Sequence, residues 1–245
     1  MKWSYRIARI ADTDVRIHVT FLLLPAYFGF VEWKTDGPVA AAMTVLFILI
    51  LFLCVLLHEF GHALAGRHYG IRTPDITLLP IGGIAHLERI PEKPIQEFVI
   101  AIAGPAVNVA IAIAIIPALV FTGGLFGPPV NDFRSLLHNL LFLNLGLVLF
   151  NLIPAFPMDG GRIFRALLAM KLSWLAATRI AARTGQFVAI LFAIGGFFWS
   201  PLLILIALFV FKGAQQELEY AKHRDELDQA LPDMNINWND VDERR

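Results

Sequence analysis

Two histidines and a glutamate, spaced H-E-x-x-H, are the residues whose types and positions most directly suggest chemistry. On a helix His58 and His62 lie about one turn apart, so both imidazoles project from one face and can share a metal ion. Glu59 lies beside them, where its carboxylate can take a proton from a metal-bound water. The triplet therefore suggests a metal site that activates water.

The stretch that carries this triplet is too apolar for an aqueous environment. No charged residue occurs at positions 39–57, which is long enough for a helix to cross about 30 Å of hydrocarbon. The helix is predicted to continue to Tyr69, with Gly70 as its stop. A solvated histidine pair at a helix end is the ordinary alternative, but ionisable groups within a membrane are costly and usually functional.

The composition indicates an integral membrane protein. Of 245 residues, 57% are hydrophobic and only 16% are charged, whereas globular domains are nearer a quarter charged. The formal net charge is zero and no basic cluster is interleaved with aromatic residues, so nucleic acid is excluded as a partner. The single cysteine, Cys54, excludes an intrachain disulfide and an all-cysteine metal site. No cleavable signal peptide is recognised, and the first span is predicted to be a retained anchor.

The predicted fold class is an all-α polytopic membrane protein with about six transmembrane segments. It includes a short N-terminal hairpin and a membrane-embedded strand or hairpin region. Three parts are predicted: an interfacial hairpin at 1–18, a transmembrane domain at 19–214, and a cytoplasmic tail at 215–245 that starts as a helix and ends disordered.

Four spans are predicted from about 19–31, 39–69, 98–121 and 136–153. The uncharged run 184–211 would be about 42 Å long as one helix, so it is divided into a hairpin of two short spans at its central glycines and proline. With six spans all four groups of basic residues fall on one side of the membrane. This predicts a multi-pass protein of a prokaryotic-type cell membrane with both termini in the cytoplasm.

The stretch from Ile76 to His86 is apolar and β-prone, and it is interrupted by a proline and a pair of glycines. It is too short to span a bilayer. A strand or hairpin buried against protein at membrane depth is predicted, because irregular backbone there must be shielded from lipid. A plain turn between two helices is the alternative.

A catalytic zinc needs three protein ligands and one open position, so one ligand besides the two histidines is required. Candidates are Asp159, Cys54, His86 and His18. Asp159 is favoured because prolines and glycines interrupt the helix at 151–162, which places a carboxylate on a non-helical segment near membrane depth. One Zn²⁺ per chain is expected. An amide of Asn108 or Asn151 could hold the oxyanion, or these side chains could join helices through hydrogen bonds.

Three short motifs in separate predicted spans resemble those of a known family. They are His58-Glu59-x-x-His62, Gly104-Pro105-x-x-Asn108 and Pro157-x-Asp159-Gly160-Gly161-Arg162. In this order they resemble the site-2 protease family of intramembrane zinc metalloproteases, over about residues 1–215. The resemblance implies His58, His62 and Asp159 as zinc ligands, Glu59 as catalytic base, and Asn108 and Asn151 as substrate or transition-state contacts.

The resemblance also implies a hydrolase that cleaves a transmembrane segment of another protein within the lipid bilayer. Family members that carry a PDZ domain or a pair of CBS domains differ from this chain, because the loop at 71–95 and the stretch after Lys212 are too short for them. A minimal or truncated member is expected. The alternatives are a metal-binding membrane transporter and an inactive zinc-binding scaffold. Glu59 discriminates between them, since transport does not need a glutamate that binds no metal.

Overall fold

The computed structural model describes residues 3–80, 82–89, 91, 93–121 and 133–230. The chain forms two compact units, Met1–Ile153 and Pro154–Arg245. The first contains strands β1 (Ser4–Ile10), β2 (Thr13–His18), β3 (Asp75–Leu79) and β4 (Gly82–His86), a 3-10 helix (Val19–Leu22), and helices α1 (Leu23–Thr35), α2 (Pro38–His68), α3 (Pro94–Phe121) and α4 (Phe133–Asn151). The second contains helices α5 (Asp159–Ala169), α6 (Trp174–Phe198) and α7 (Pro201–Ala230).

The four strands form one sheet in the order β1-β2-β3-β4. The N-terminal hairpin turns at Ala11 and Asp12, both with positive φ, as tight hairpin turns require. β3 and β4 form a second antiparallel hairpin in the predicted strand region. The expectation of a mostly helical chain with two strand regions is confirmed. Their union in one sheet, through parallel pairing of β2 with β3, was not expected from the sequence.

Buried side chains hold this sheet against α2. Val15 of β2 and Ile76 of β3 are both fully buried and pack with Phe60 and Ala63 of α2. Because Phe60 and Ala63 occupy the same turns as the histidine pair, this apolar cluster fixes β3 and β4 beside the H-E-x-x-H motif.

Helix α2 begins at Pro38, at the position where a missing N–H costs nothing, and ends at His68. Gly70 has a φ of +72°, so the predicted stop after Tyr69 is confirmed. Gly61 allows α3 to approach closely: a Cβ there would lie 2.7 Å from the carbonyl oxygen of Ala103. Small residues therefore bring two membrane-type helices together at the level of the motif.

Four described helices are long and apolar enough to cross a membrane, which agrees with an integral membrane protein. They are Pro38–His68, Pro94–Phe121, Trp174–Phe198 and Pro201–Leu227. Ser135–Asn151 is shorter, and α1 has 13 residues, or about 20 Å at 1.5 Å per residue. The predicted first span starts as a 3-10 helix, and α1 extends it to Thr35. The count of six spans and the orientation stay predictions.

The second unit contains the break predicted within 184–211. Trp199 and Ser200 separate α6 from α7, and a Cβ on Gly196 would lie 2.6 Å from Cγ1 of Ile204, so the two helices pack closely. Both helices are longer than the short spans predicted. The predicted tail from Gln215 begins inside α7, and its part at 231–245 lies outside the described residues, as do residues 122–132.

Candidate metal centre

His58 and His62 lie on one face of α2 and are both buried. Their Nε2 atoms are 3.1 Å apart, and the ring planes meet edge to face. The predicted convergence of the two imidazoles is therefore observed. Counted along the helix, His58 lies ten residues before its end at His68, or about 15 Å.

The Nδ1 atom of each histidine forms a hydrogen bond to an oxygen acceptor, and this bond sets the tautomer of the ring. Nδ1 of His62 lies 2.7 Å from the carbonyl oxygen of Ile100, which can only accept, so Nδ1 carries the proton and Nε2 the lone pair. Nδ1 of His58 lies 2.5 Å from Oδ1 of Asn108, which gives the same tautomer. Metal-binding histidines are held in this way.

This arrangement fits a divalent metal ion. Two Nε2 lone pairs 3.1 Å apart repel each other, whereas a tetrahedral zinc with Zn–N bonds of about 2.0–2.1 Å holds two nitrogens about 3.3 Å apart. Gly104 of α3 leaves the required space: a Cβ there would lie 2.7 Å from Nε2 of His58 and would overlap the ring of His62. This role was not predicted from the sequence, although Gly104 belongs to the second motif.

Glu59, the predicted base, lies against β4. A Cβ on Gly83 would lie 2.7 Å from Cγ of Glu59, so the strand backbone passes directly beside the carboxylate side chain. The glycine pair at 82–83 could have indicated this contact from the sequence, because glycine within a strand often marks a place where another group approaches the strand backbone closely.

Asn108 is fully buried, and its contact with substrate or transition state stays a prediction. Its Oδ1 faces His58, and its Nδ2 donates to Oδ1 of Asn144 at 2.8 Å. The observed hydrogen bonds therefore join α2, α3 and α4, as the alternative interpretation held. Asn151 is the half-buried last residue of α4.

The alternative third ligands have other contacts in the structure. Cys54 is buried, with its Sγ 3.6 Å from Nδ2 of Asn144. His18 lies 2.7 Å from Oγ1 of Thr20 through Nδ1, and His86 lies 3.3 Å from a carboxylate oxygen of Asp75. Each of these contacts accounts for the residue without a metal.

Asp159 lies in the second unit, where it is buried. It is the first residue of α5, whereas the sequence predicted a non-helical position. A carboxylate is stabilised there by the positive end of the helix dipole. Gly161 lets the helix start against the preceding segment, since a Cβ would lie 2.7 Å from the carbonyl carbon of Ala155. The role of Asp159 as third ligand stays a prediction.

A partly buried ion pair supports the segment before Asp159. Nη1 of Arg165 on α5 donates to a carboxylate oxygen of Glu217 on α7 at 2.7 Å. The guanidinium of Arg165 also lies 4.9 Å from the ring centroids of Phe156 and Trp174. Phe156 is fully buried, so these contacts anchor the loop that leads into α5.

Comparison with known proteins agrees with the geometry. The family model for peptidase family M50 matches residues 46–130 and 127–194, which include all three motifs. The chain belongs to peptidase family M50, the family of the site-2 proteases.

Individual relatives support the same assignment. The chain is 41% identical over 218 residues to a zinc metalloprotease of Methanocaldococcus jannaschii, covering 89% of this chain and 61% of the relative. It is 30% identical over 212 residues to stage IV sporulation protein FB of Bacillus subtilis, covering 85% and 67%.

A solved structure is similar to most of this chain. The site-2 protease from Methanocaldococcus jannaschii matches with a TM-score of 0.63 and 38% identity, over 88% of this chain and 95% of that one. The chain spans about three fifths of the length of the first curated relative.

Proposed function

We propose that this M50 member is an intramembrane zinc metalloprotease that hydrolyses a peptide bond within or near a transmembrane segment of another membrane protein. The observation that carries the proposal is the histidine pair of α2. Its two Nε2 atoms lie 3.1 Å apart inside a 31-residue apolar helix, with each Nδ1 held by an oxygen acceptor.

We infer that one zinc ion is bound by His58, His62 and Asp159. The two histidines have the tautomer and spacing that zinc requires. Asp159 is supported by its motif and by family membership, and a third ligand that is a carboxylate is common in zinc hydrolases. This set leaves the fourth position for water.

Bound zinc would polarise the substrate carbonyl and lower the pKa of a water molecule towards 7. Glu59 is adjacent to His58 in sequence and binds no metal in this scheme. Its carboxylate takes a proton from the attacking water and passes it to the leaving amine. Asn151 is proposed to contact the substrate or the oxyanion, while Asn108 acts on His58 through the hydrogen bond described above.

The substrate helix must unwind before its peptide bond can be attacked, and each exposed backbone group costs several kcal/mol in lipid. β4 is the last strand in the order of the described sheet and lies beside Glu59. A substrate segment that adds to this edge as a strand would satisfy its own backbone groups next to the proposed base.

We also propose a multi-pass arrangement of six spans with both termini in the cytoplasm, on the basis of the distribution of lysine and arginine. α1 and α4 would then cross a locally thinned bilayer or lie tilted between longer helices. The orientation can be tested with single cysteines introduced near either terminus and a thiol reagent that does not cross the membrane. The cysteines should react in permeabilised cells and not in intact cells. Labelling without permeabilisation would contradict it.

The test of the function uses protein purified in detergent and a tagged single-span substrate. Glu59→Gln should abolish cleavage while the zinc content stays that of the wild type, because the amide keeps the shape but cannot accept the proton. Glu88→Gln, at an exposed position, is the matched control and should cleave normally. Cleavage that survives Glu59→Gln would contradict the mechanism. Zinc binding without any cleavage by the wild type would favour the transporter or the inactive scaffold.

A further inference from the structure

A second buried amide lies behind the histidine pair. Asn144 of α4 is only 1% exposed, and every other residue at positions 140–150 is apolar or glycine. A buried amide in such surroundings must satisfy its donors and its acceptor, since an unsatisfied one costs about 1–3 kcal/mol. Its contacts therefore determine which way the side chain points.

A backbone carbonyl fixes the orientation of Asn144. One side-chain nitrogen lies 2.8 Å from the carbonyl oxygen of Leu140. That oxygen can only accept a hydrogen bond, so the group facing it must be the NH₂ of Asn144. The carbonyl end of the Asn144 amide, Oδ1, then faces Asn108.

The hydrogen bonds continue from Asn144 through Asn108 to the metal site. Because Oδ1 of Asn144 can only accept, Asn108 presents its NH₂ to it, at 2.8 Å. Oδ1 of Asn108 is thereby turned towards Nδ1 of His58. The acceptor at this position places the proton of His58 on Nδ1 and leaves the lone pair on Nε2, the atom that faces His62.

We propose that Asn144 is a positioning residue of the metal site: through Asn108 it selects the tautomer of His58 that can bind zinc. This inference rests on the proposed function and deepens it. If Asn144 were apolar, the Asn108 amide could rotate and present its NH₂ to His58. Nδ1 would then have to accept, and the proton would move to Nε2, where it opposes metal binding.

The ordinary alternative is that Asn144 only joins α4 to its neighbours. The two roles differ in how the effects of substitutions combine. A positioning role acts through Asn108 and must vanish when Asn108 is removed, whereas a packing role is independent of Asn108 and adds to its loss.

The test measures Co²⁺ affinity and the visible absorption of bound Co²⁺ in the full-length protein purified in detergent. Asn144→Leu should weaken Co²⁺ binding roughly 10-fold to 100-fold, the range found for changes in the outer shell of a metal site. It should also change the absorption spectrum. In the Asn108→Ala background the same substitution should cause no further loss. Leu136→Ala, which removes a buried apolar side chain of the same helix, is the control and should leave affinity and spectrum unchanged.

A second measurement uses the wild-type protein, so it does not depend on whether the Asn144 variant folds. In metal-free protein with ¹⁵N-labelled histidine, His58, assigned with a His58→Ala variant, should show the tautomer protonated on Nδ1. The tautomer protonated on Nε2 would overturn the proposal. Equal Co²⁺ affinity of wild type and Asn144→Leu, or an equal loss with and without Asn108, would overturn the role of Asn144 alone. No Co²⁺ binding by the wild type would overturn the metal site itself.

Discussion

Gly83 of β4 and Glu59 of α2 are in such close contact that a Cβ on Gly83 would lie 2.7 Å from Cγ of the glutamate. The strand thus forms one wall of the space in which Glu59 acts. Because a glutamate side chain can rotate, a substituent at Gly83 would displace the carboxylate more readily than it would unfold the sheet.

We therefore expect Gly83→Ala to reduce cleavage of a single-span substrate by about 10-fold or more, because misplacing a reacting group by about 1 Å can cost 10²-fold. Zinc content should be unchanged, since the three atoms nearest to a Cβ on Gly83 all belong to Glu59. The control is Gly146→Ala on α4, where a Cβ would meet nothing within 4 Å. Full activity of Gly83→Ala would show that this contact does not position the base.

Gly104 should be essential for metal binding. A Cβ there would overlap both imidazoles, and the helices cannot separate cheaply because Gly61 and Ala103 already bring α2 and α3 into contact. Gly104→Ala should lose most of the bound zinc, measured by atomic emission on purified protein, with Gly146→Ala again as the control. Wild-type zinc content in Gly104→Ala would mean that the metal lies elsewhere.

The ion pair of Arg165 and Glu217 should stabilise the second unit. Arg165 is 3% exposed, so Arg165→Ala removes a charged hydrogen bond worth about 1.5–3 kcal/mol together with the contacts on Phe156 and Trp174. We expect a lower midpoint of thermal unfolding in detergent. Arg179→Ala, at an exposed position of α6, should have little effect, and an equal shift in both variants would contradict the assignment.

Strand addition at β4 can be tested by proline substitution. Successive N–H groups of an antiparallel strand point alternately towards and away from the partner strand. Of Ile84→Pro and Ala85→Pro, one therefore removes an N–H that faces away from β3, and we expect that variant to fold and bind zinc but cleave poorly. If neither substitution lowered cleavage, strand addition would have to be abandoned.

Local patterns predicted the parts of this molecule that depend on nearby residues. The spacing of His58 and His62 predicted their convergence, Gly70 predicted the end of α2, and the composition of 76–86 predicted the second hairpin. Each of these features follows from backbone geometry over a few residues, which a single sequence displays directly.

Features that depend on distant packing could not be predicted in this way. The parallel pairing of Val15 with Ile76 joins segments about sixty residues apart, and nothing in either strand specifies the partner. The motif drew attention to Asn108, but its hydrogen bond to His58 requires the packing of α3 on α2. The space left by Gly83 and Gly104 is likewise visible only when the neighbouring helix or strand is in place.

The zinc content of purified wild type and Asp159→Ala tests the central claim most directly, because the proposed ligand set joins residues a hundred positions apart in sequence. We expect about one zinc per wild-type chain, as a catalytic site with three protein ligands requires, and a marked loss in Asp159→Ala. Asp225→Ala, at a half-buried position of α7, should keep its zinc. Equal zinc in wild type and Asp159→Ala would contradict the proposed ligand set.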